Sequence, residues 1–379
     1  MENLIPRLCK FIDIEYDTEI ASTDQLWKLP LEERVTKGEA IQNLKAQFIT
    51  MAFGGSKMVI GVHFTCDSNI SKFREGTPVI VSGHGIKFKG EITSEERNSI
   101  EIGMNQFDGY PSVPEHLLKS SGWVIDKAKT DIRHILKQPI QNLPLNTSRY
   151  NLINGILDGS ILPELDELAR SKAEQLASTA QLNESQRKAF IEAFIAKNYY
   201  LIQGPPGTGK TWVLAYLAAA FASEGKNVLI TAFTHTGINN ALQKISKVTG
   251  YKKTAKLGKK HQSENLDYDG ANVSIGEDLR AHGYDQSTKG VIIGATAYAP
   301  NTKKLKGFPF DVIIFDEASQ LTVPLAMAAM AAGTKFIFIG DHKQLPPIIS
   351  PQQQDVELSK SIFEYLFKRY DVDYDISDE

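Results

Sequence analysis

Residues Gly204, Pro205, Pro206, Gly207, Thr208, Gly209, Lys210 and Thr211 match the spacing GxxxxGK[ST]. The backbone N–H groups of such a loop curl around anionic oxygens, and the N-terminus of the helix that follows adds partial positive charge. In that setting Lys210 reaches the β and γ phosphates of a nucleotide, and the Thr211 hydroxyl holds magnesium. A second group closes the run Asp311-Val312-Ile313-Ile314-Phe315 with Asp316 and Glu317. Asp316 suits magnesium, directly or through water, and Glu317 suits polarisation of an attacking water. Taken singly, the loop has a second, minor reading as a glycine-rich turn and the acidic pair one as a helix cap. Together, at the C-terminal ends of strands where open sheets bind ligands, they imply a site that hydrolyses a nucleoside triphosphate. A third stretch, Gly340-Asp341-His342-Lys343-Gln344-Leu345-Pro346-Pro347, follows the apolar run Phe336-Ile337-Phe338-Ile339. Its prolines fix the direction in which the chain leaves.

Strands must position these groups. From Tyr199 onward the runs YYLIQ, NVLITA, VIIGAT, DVIIFDEA and KFIFIG alternate with helical segments such as TWVLAYLAAAFAS. Strands that are apolar on both faces and joined by helices predict an α/β domain with a parallel sheet covered on both sides. Upstream, MVIGVHF, TPVIVSG, IKFKGEI and SIEIGMN alternate over short lengths between Gly, Asn, Ser and Asp. About five such strands predict a small antiparallel barrel. Residues 111–180 then show apolar positions at helical spacing.

The chain of 379 residues is 42% hydrophobic, enough for a sizeable core and more than one domain. Its 42 basic and 45 acidic residues give a net charge of −3. That excludes a globally positive body, although one basic channel on a neutral body remains open. Cys9 and Cys66 lack CxxC spacing, which favours a reduced compartment without structural metal. His63 and Cys66, on a predicted strand without further ligands, read as core or surface. The acidic first twenty residues do not resemble a signal peptide. The longest apolar stretch, Val323 to Gly333, is broken by Pro324 and too short for a bilayer, so no membrane partner and a cytoplasmic location are expected.

The ordered trio GPPGTGKT, FDEASQ and GDHKQLPP resembles the superfamily 1 helicases. The similarity is to the 5′-to-3′ branch that includes the nonsense-mediated-decay, immunoglobulin-mu-binding and replication nuclease-helicases. Superfamily 2 helicases carry a Ser-Ala-Thr type motif in the third place. The resemblance implies a RecA-like motor domain at 181–370, using ATP and Mg2+. Before it come an N-terminal segment (1–50), a β-barrel (51–110) and a helical stalk (111–180). It further implies that Gln186, in LNESQ, reads the adenine, that Gln344 senses the γ-phosphate, and that Asp341 shapes the loop beside Glu317. Thr234 and His235 in TAFTHT, and Thr296 in GAT, correspond to contacts with single-stranded DNA or RNA. Thr-His in the first of these resembles the nuclease-helicase branch and favours DNA. The lysine-rich run from Tyr251 to His261 reads as a solvated surface or as a rim that tracks phosphates. The barrel reads as a spacer or as a working part.

The family's second RecA-like domain, with its Gln-Tyr-Arg motif and arginine fingers, has no counterpart in this sequence. An arginine finger is worth roughly 10³ to 10⁵ in rate, so this chain alone is expected to bind ATP and turn it over weakly. The second domain is expected in cis, with the chain as part of a longer helicase, or in trans, with the chain as a half-motor or nucleotide-switched binding module. The acidic tail of Asp371, Asp373, Asp375, Asp378 and Glu379 reads as a linker or a solvated terminus.

Overall fold

The structure, a computed structural model, describes residues 4–368 apart from 55–56, 68, 74–76, 106–112, 114–115, 117, 130, 259–262, 264 and 267–271. The acidic tail therefore lies outside the described residues, as do Lys259, Lys260 and His261 of the lysine-rich run. The chain divides into two compact units, Tyr16–Asp131, and Met1–Glu15 with Ile132–Glu379. Helix α1 (Leu4–Lys28) contributes residues to both.

In the first unit, α2 (Leu31–Thr36) precedes β1 (Ala40–Gly54), β2 (Lys57–Thr65), β3 (Pro78–Gly83), β4 (Ile86–Glu95), β5 (Ser99–Asn105) and β6 (Trp123–Lys127). These strands close an antiparallel barrel in the order β1-β2-β5-β4-β3-β6. Leu44, Val62, Phe64, Val81, Ile102 and Trp123 fill it without any exposed surface. The barrel extends beyond the predicted 51–110 on both sides, because β1 and β6 belong to it. The signal for β1 is blurred by a register shift between Ala46 and Phe48 and by Asn43 at φ 57°, which interrupt the alternation of apolar and polar positions. The five-residue β6 is too short to show a period.

The second unit contains α3 (Arg133–Asn142), α4 (Thr147–Asp158), α5 (Arg170–Ser178), α6 (Glu184–Ile195), β7 (Tyr199–Gln203), α7 (Lys210–Ser223), β8 (Val228–Thr231), α8 (His235–Thr249), β9 (Thr254–Leu257) and β10 (Val273–Gly276). They are followed by β11 (Ile292–Gly294), β12 (Val312–Phe315), α9 (Val323–Met330), β13 (Lys335–Gly340) and α10 (Ile362–Phe367). The strands form a parallel sheet in the order β10-β9-β11-β8-β12-β13-β7. Strands β7, β8 and β12 are buried at every position, which is why they read as continuous apolar runs. The helices predicted as a stalk group with the sheet instead, α3 against α9 and α5 against α6. The start of α1 also belongs here. Arg7 pairs with Asp355 at 3.0 Å and Glu357 at 3.1 Å, and Ser350 N–H donates to the Glu15 carboxylate at 3.1 Å.

This topology brings the ends of β12, β13 and β7 side by side. Phe315 pairs with Phe338, Gly340 pairs with Gln203, and Gly204 N–H donates to the Gly340 carbonyl at 3.1 Å. The three chemically loaded stretches of sequence start at those ends. Ile337, without exposed surface on β13, should cost about 2–5 kcal/mol when cut to alanine. The urea midpoint of I337A should fall accordingly, and an unchanged midpoint would contradict a cooperative core built on this strand.

Candidate functional site

Backbone conformation comes first at the phosphate loop. Gly207 and Gly209 take φ of 87° and 80°, the left-handed region that L side chains rarely adopt. At Gly209 a Cβ would also collide with Gln186 Nε2. Thr208 closes the turn by donating its hydroxyl to the Pro205 carbonyl at 2.8 Å. Lys210 and Thr211 are the first residues of α7, where backbone N–H groups have no partner within the helix. The Lys210 ammonium donates to the Gly204 and Pro205 carbonyls, the latter at 2.9 Å. Burial pushes its pKa down, while Asp341, Asp316 and Glu317 each favour the charged form.

Gln186 is held by both ends of its amide. Its Oε1 accepts the Asn183 N–H at 3.1 Å, completing a capping box on α6, and its Nε2 donates to the Thr208 carbonyl at 2.9 Å. The residue assigned to the adenine thus also braces the phosphate loop.

Asp316 is buried at the end of β12, its backbone N–H on the Thr231 carbonyl at 2.8 Å. Its carboxylate accepts the Glu317 N–H at 3.0 Å. Burial and then the neighbouring Glu317 raise its pKa to about 7, against the pull of Lys210. Burial likewise raises the pKa of Glu317, which Lys210 opposes. Glu317 sits at φ 50°, a strained conformation for a glutamate and a common feature of working sites. With one hydroxyl and one buried carboxylate, Thr211 and Asp316 are too few for a protein-only metal centre. They fit a magnesium ion that takes its remaining oxygens from phosphate and water.

Asp341 is buried as well, yet its pKa is lowered. Burial raises it, but the Lys343 N–H, the Gln203 and Gln344 amides and Lys210 outweigh that. The Lys343 N–H lies at 3.0 Å and Gln203 Nε2 at 2.8 Å. The other end of the Gln203 amide accepts from His342, from N–H at 3.3 Å and from Nδ1 at 3.1 Å. Gln203, the last residue of β7, therefore ties the strand before the phosphate loop to the loop after β13. Sequence reasoning missed it; the one signal was a glutamine ending an otherwise apolar strand.

Farther along the same sheet edge, Thr234 caps α8, its hydroxyl accepting the Gly237 N–H at 3.0 Å. His235 opens that helix, with Nδ1 2.9 Å from Lys256 Nζ. Thr296 lies just beyond β11, its carbonyl accepting the Ala299 N–H at 2.9 Å. The lysine-rich run is not one surface. Lys252 and Lys253 are exposed, whereas Lys256 points inward from β9 and has no exposed surface. Lysines dominate the composition there and conceal a four-residue strand.

A domain model described as an AAA domain matches residues 181–356. The DNA replication ATP-dependent helicase/nuclease DNA2 of Saccharomyces cerevisiae is 33% identical over 202 residues, 52% of this chain and 13% of that protein. Its Gallus gallus namesake is 28% identical over 240 residues, 61% of this chain and 24% of that protein. The Schizosaccharomyces pombe protein of that name is 27% identical over 333 residues, covering 79% and 23%. The chain spans between 13% and 24% of the length of these relatives. Among the described residues no helix is long and apolar enough to cross a membrane. With the phosphate loop, the acidic strand end and the glutamine loop on three adjoining strands, the chain carries an AAA-domain match over residues 181–356 and is similar to these DNA replication helicase/nucleases over part of their length.

Proposed function

We propose that this chain is the ATP-binding motor domain of an ATP-dependent helicase or translocase acting on single-stranded nucleic acid, DNA in preference to RNA. The observation that carries this reading is Lys210, at the start of α7, within the field of Asp316, Glu317 and Asp341 from the two neighbouring strand ends. One cation among three carboxylates leaves the edge short of positive charge, which Mg2+ supplies when it arrives with the triphosphate.

In this reading, Gly204 to Thr211 wrap the phosphates with their N–H groups, and Lys210 turns from the loop carbonyls to the phosphate oxygens. The Thr211 hydroxyl and Asp316 hold Mg2+, whose charge offsets that of the phosphates. Glu317 orients and deprotonates the attacking water, and Gln344 meets the γ-phosphate. Gln186 joins the base to the loop. Thr234, His235 and Thr296 grip the nucleic-acid strand at the ends of β8 and β11. A second RecA-like domain, in cis or in trans, completes the cleft and supplies the cation that fast turnover requires.

Two outcomes test it. In the longest native product, nucleic acid should stimulate ATP hydrolysis, and Glu317→Gln should keep nucleotide affinity while lowering kcat by about 10²–10⁴. Stimulated turnover that survives E317Q would remove Glu317 from its role, and ATP-tuned strand binding without turnover would favour a switch over a motor.

The acidity of Asp316 gives a pH dependence. Its folded pKa lies above the ordinary 3.8, so in the cation-free protein stability falls as pH rises from about 4 to 7 and the buried carboxyl ionises. A divalent cation must displace that proton. Affinity for Mn2+ with nucleotide, read by paramagnetic relaxation, should therefore be greatest above pH 7 and fall up to about tenfold per unit below it. A flat profile would contradict this assignment.

A further inference from the structure

Lys256 stands at the third position of β9 with no exposed surface. Burial and the nearby Lys304 both press it toward the neutral form. A fold needs no lysine there, since an apolar side chain of similar length fills the same space without the penalty of a buried cation. Its placement supplies a reason. Lys256 pairs in register with Gly294 of β11, and Gly294 pairs with Ile230 of β8. It thus lies level with the strand ends from which Thr296 and the Thr234–His235 turn emerge.

The contact with His235 is specific in what it permits. An ammonium only donates, so Lys256 Nζ at 2.9 Å makes His235 Nδ1 the acceptor and leaves the ring proton on Nε2. Should the proton pass from the lysine to the ring, Nδ1–H donates back to the amine and Nε2 keeps its hydrogen. In both arrangements, which hold as long as the pair keeps that one extra proton, it presents an Nε2–H and carries one shared positive charge. His235 itself is only half-buried and begins α8, so the charge is delivered to the sheet edge by the histidine while the lysine stays inside.

We infer that Lys256 is a positioning residue for His235, fixing its imidazole and placing the charge of the pair against a phosphate of a single strand lying across the ends of β9, β11 and β8. This rests on the proposed strand-binding reading of that edge.

Binding of a fluorescent oligothymidylate to the chain, by anisotropy over a range of salt, tests it with wild type, Lys256→Met, His235→Gln and the double variant. Wild type should bind, and K256M should bind about tenfold more weakly, with a slope of log affinity against log salt shallower by about 0.7. H235Q should lose at least as much as K256M, and the double variant no more than H235Q, because the lysine acts through the histidine. The thermal midpoint of K256M should stay level or rise, which a structural role for the lysine would not allow. Wild type that binds beside an equally tight K256M, or losses that simply add, would overturn the inference alone; wild type that never binds would overturn the strand-binding reading with it. Should K256M fail to fold, the imidazole nitrogen spectrum of wild type decides near neutral pH, where a protonated Nδ1 with a bare Nε2 at His235 would refute the pairing.

Discussion

One electrostatic constraint organises the unit built on the parallel sheet: a half-buried Lys210 must balance Asp316, Glu317 and Asp341 with little water to help. Charges at a protein surface tolerate imperfect neighbours, but in a low-dielectric edge each missing counter-charge is felt strongly. The three carboxylates respond differently. Asp341 is anchored by amides and stays readily ionised, whereas Asp316 and Glu317 are pushed toward protonation. Asp341 thus acts as a fixed structural anion, and the acidic pair has room for an added cation. A parallel sheet is what makes this balance possible, since it aligns strand ends from distant parts of the chain on one edge.

That edge has two halves. On β12, β13 and β7 lie the phosphate loop, the acidic pair and the glutamine loop, joined by the Gln203 amide. On β9, β11 and β8 lie Lys256, Thr296 and the Thr234–His235 turn. The halves meet at Gly237 in the first turn of α8, where a Cβ would come within 3.2 Å of Glu317 Oε2. A side chain at position 237 would therefore crowd the Glu317 carboxylate, which glycine avoids.

How much of this the sequence revealed depended on whether a residue's role was local. Gly207, Gly209 and Lys210 work through their own backbone and the next helix turn, and their spacing disclosed the loop. Asp316 and Glu317 were legible because they end an unbroken apolar strand. Gln203 was not, because its role lies in a bond to Asp341, 138 positions away. Asp341 was expected to shape the loop beside Glu317, and its carboxylate does hold that loop through Lys343 and Gln344; the bond to Gln203 was the part not foreseen. Lys256 was hidden for the opposite reason, coming in sequence just after Lys252 and Lys253, which do face solvent. The barrel limits were missed where a bulge and a five-residue strand erase the period of two. Gln186 shows a limit of another kind: the resemblance assigned it to the adenine, while its capping box and its bond to the Thr208 carbonyl are visible only in three dimensions.

The central claim is that Lys210 and the carboxylates around it form a triphosphate site. Calorimetric titration of this chain with a non-hydrolysable ATP analogue and Mg2+, in wild type and in Lys210→Ala, tests it most directly. The account predicts saturable binding by wild type and a loss of about 2–3 kcal/mol or more in the variant, the scale of a hydrogen-bonded charge removed from its partner. Equal affinity in the two proteins would contradict it.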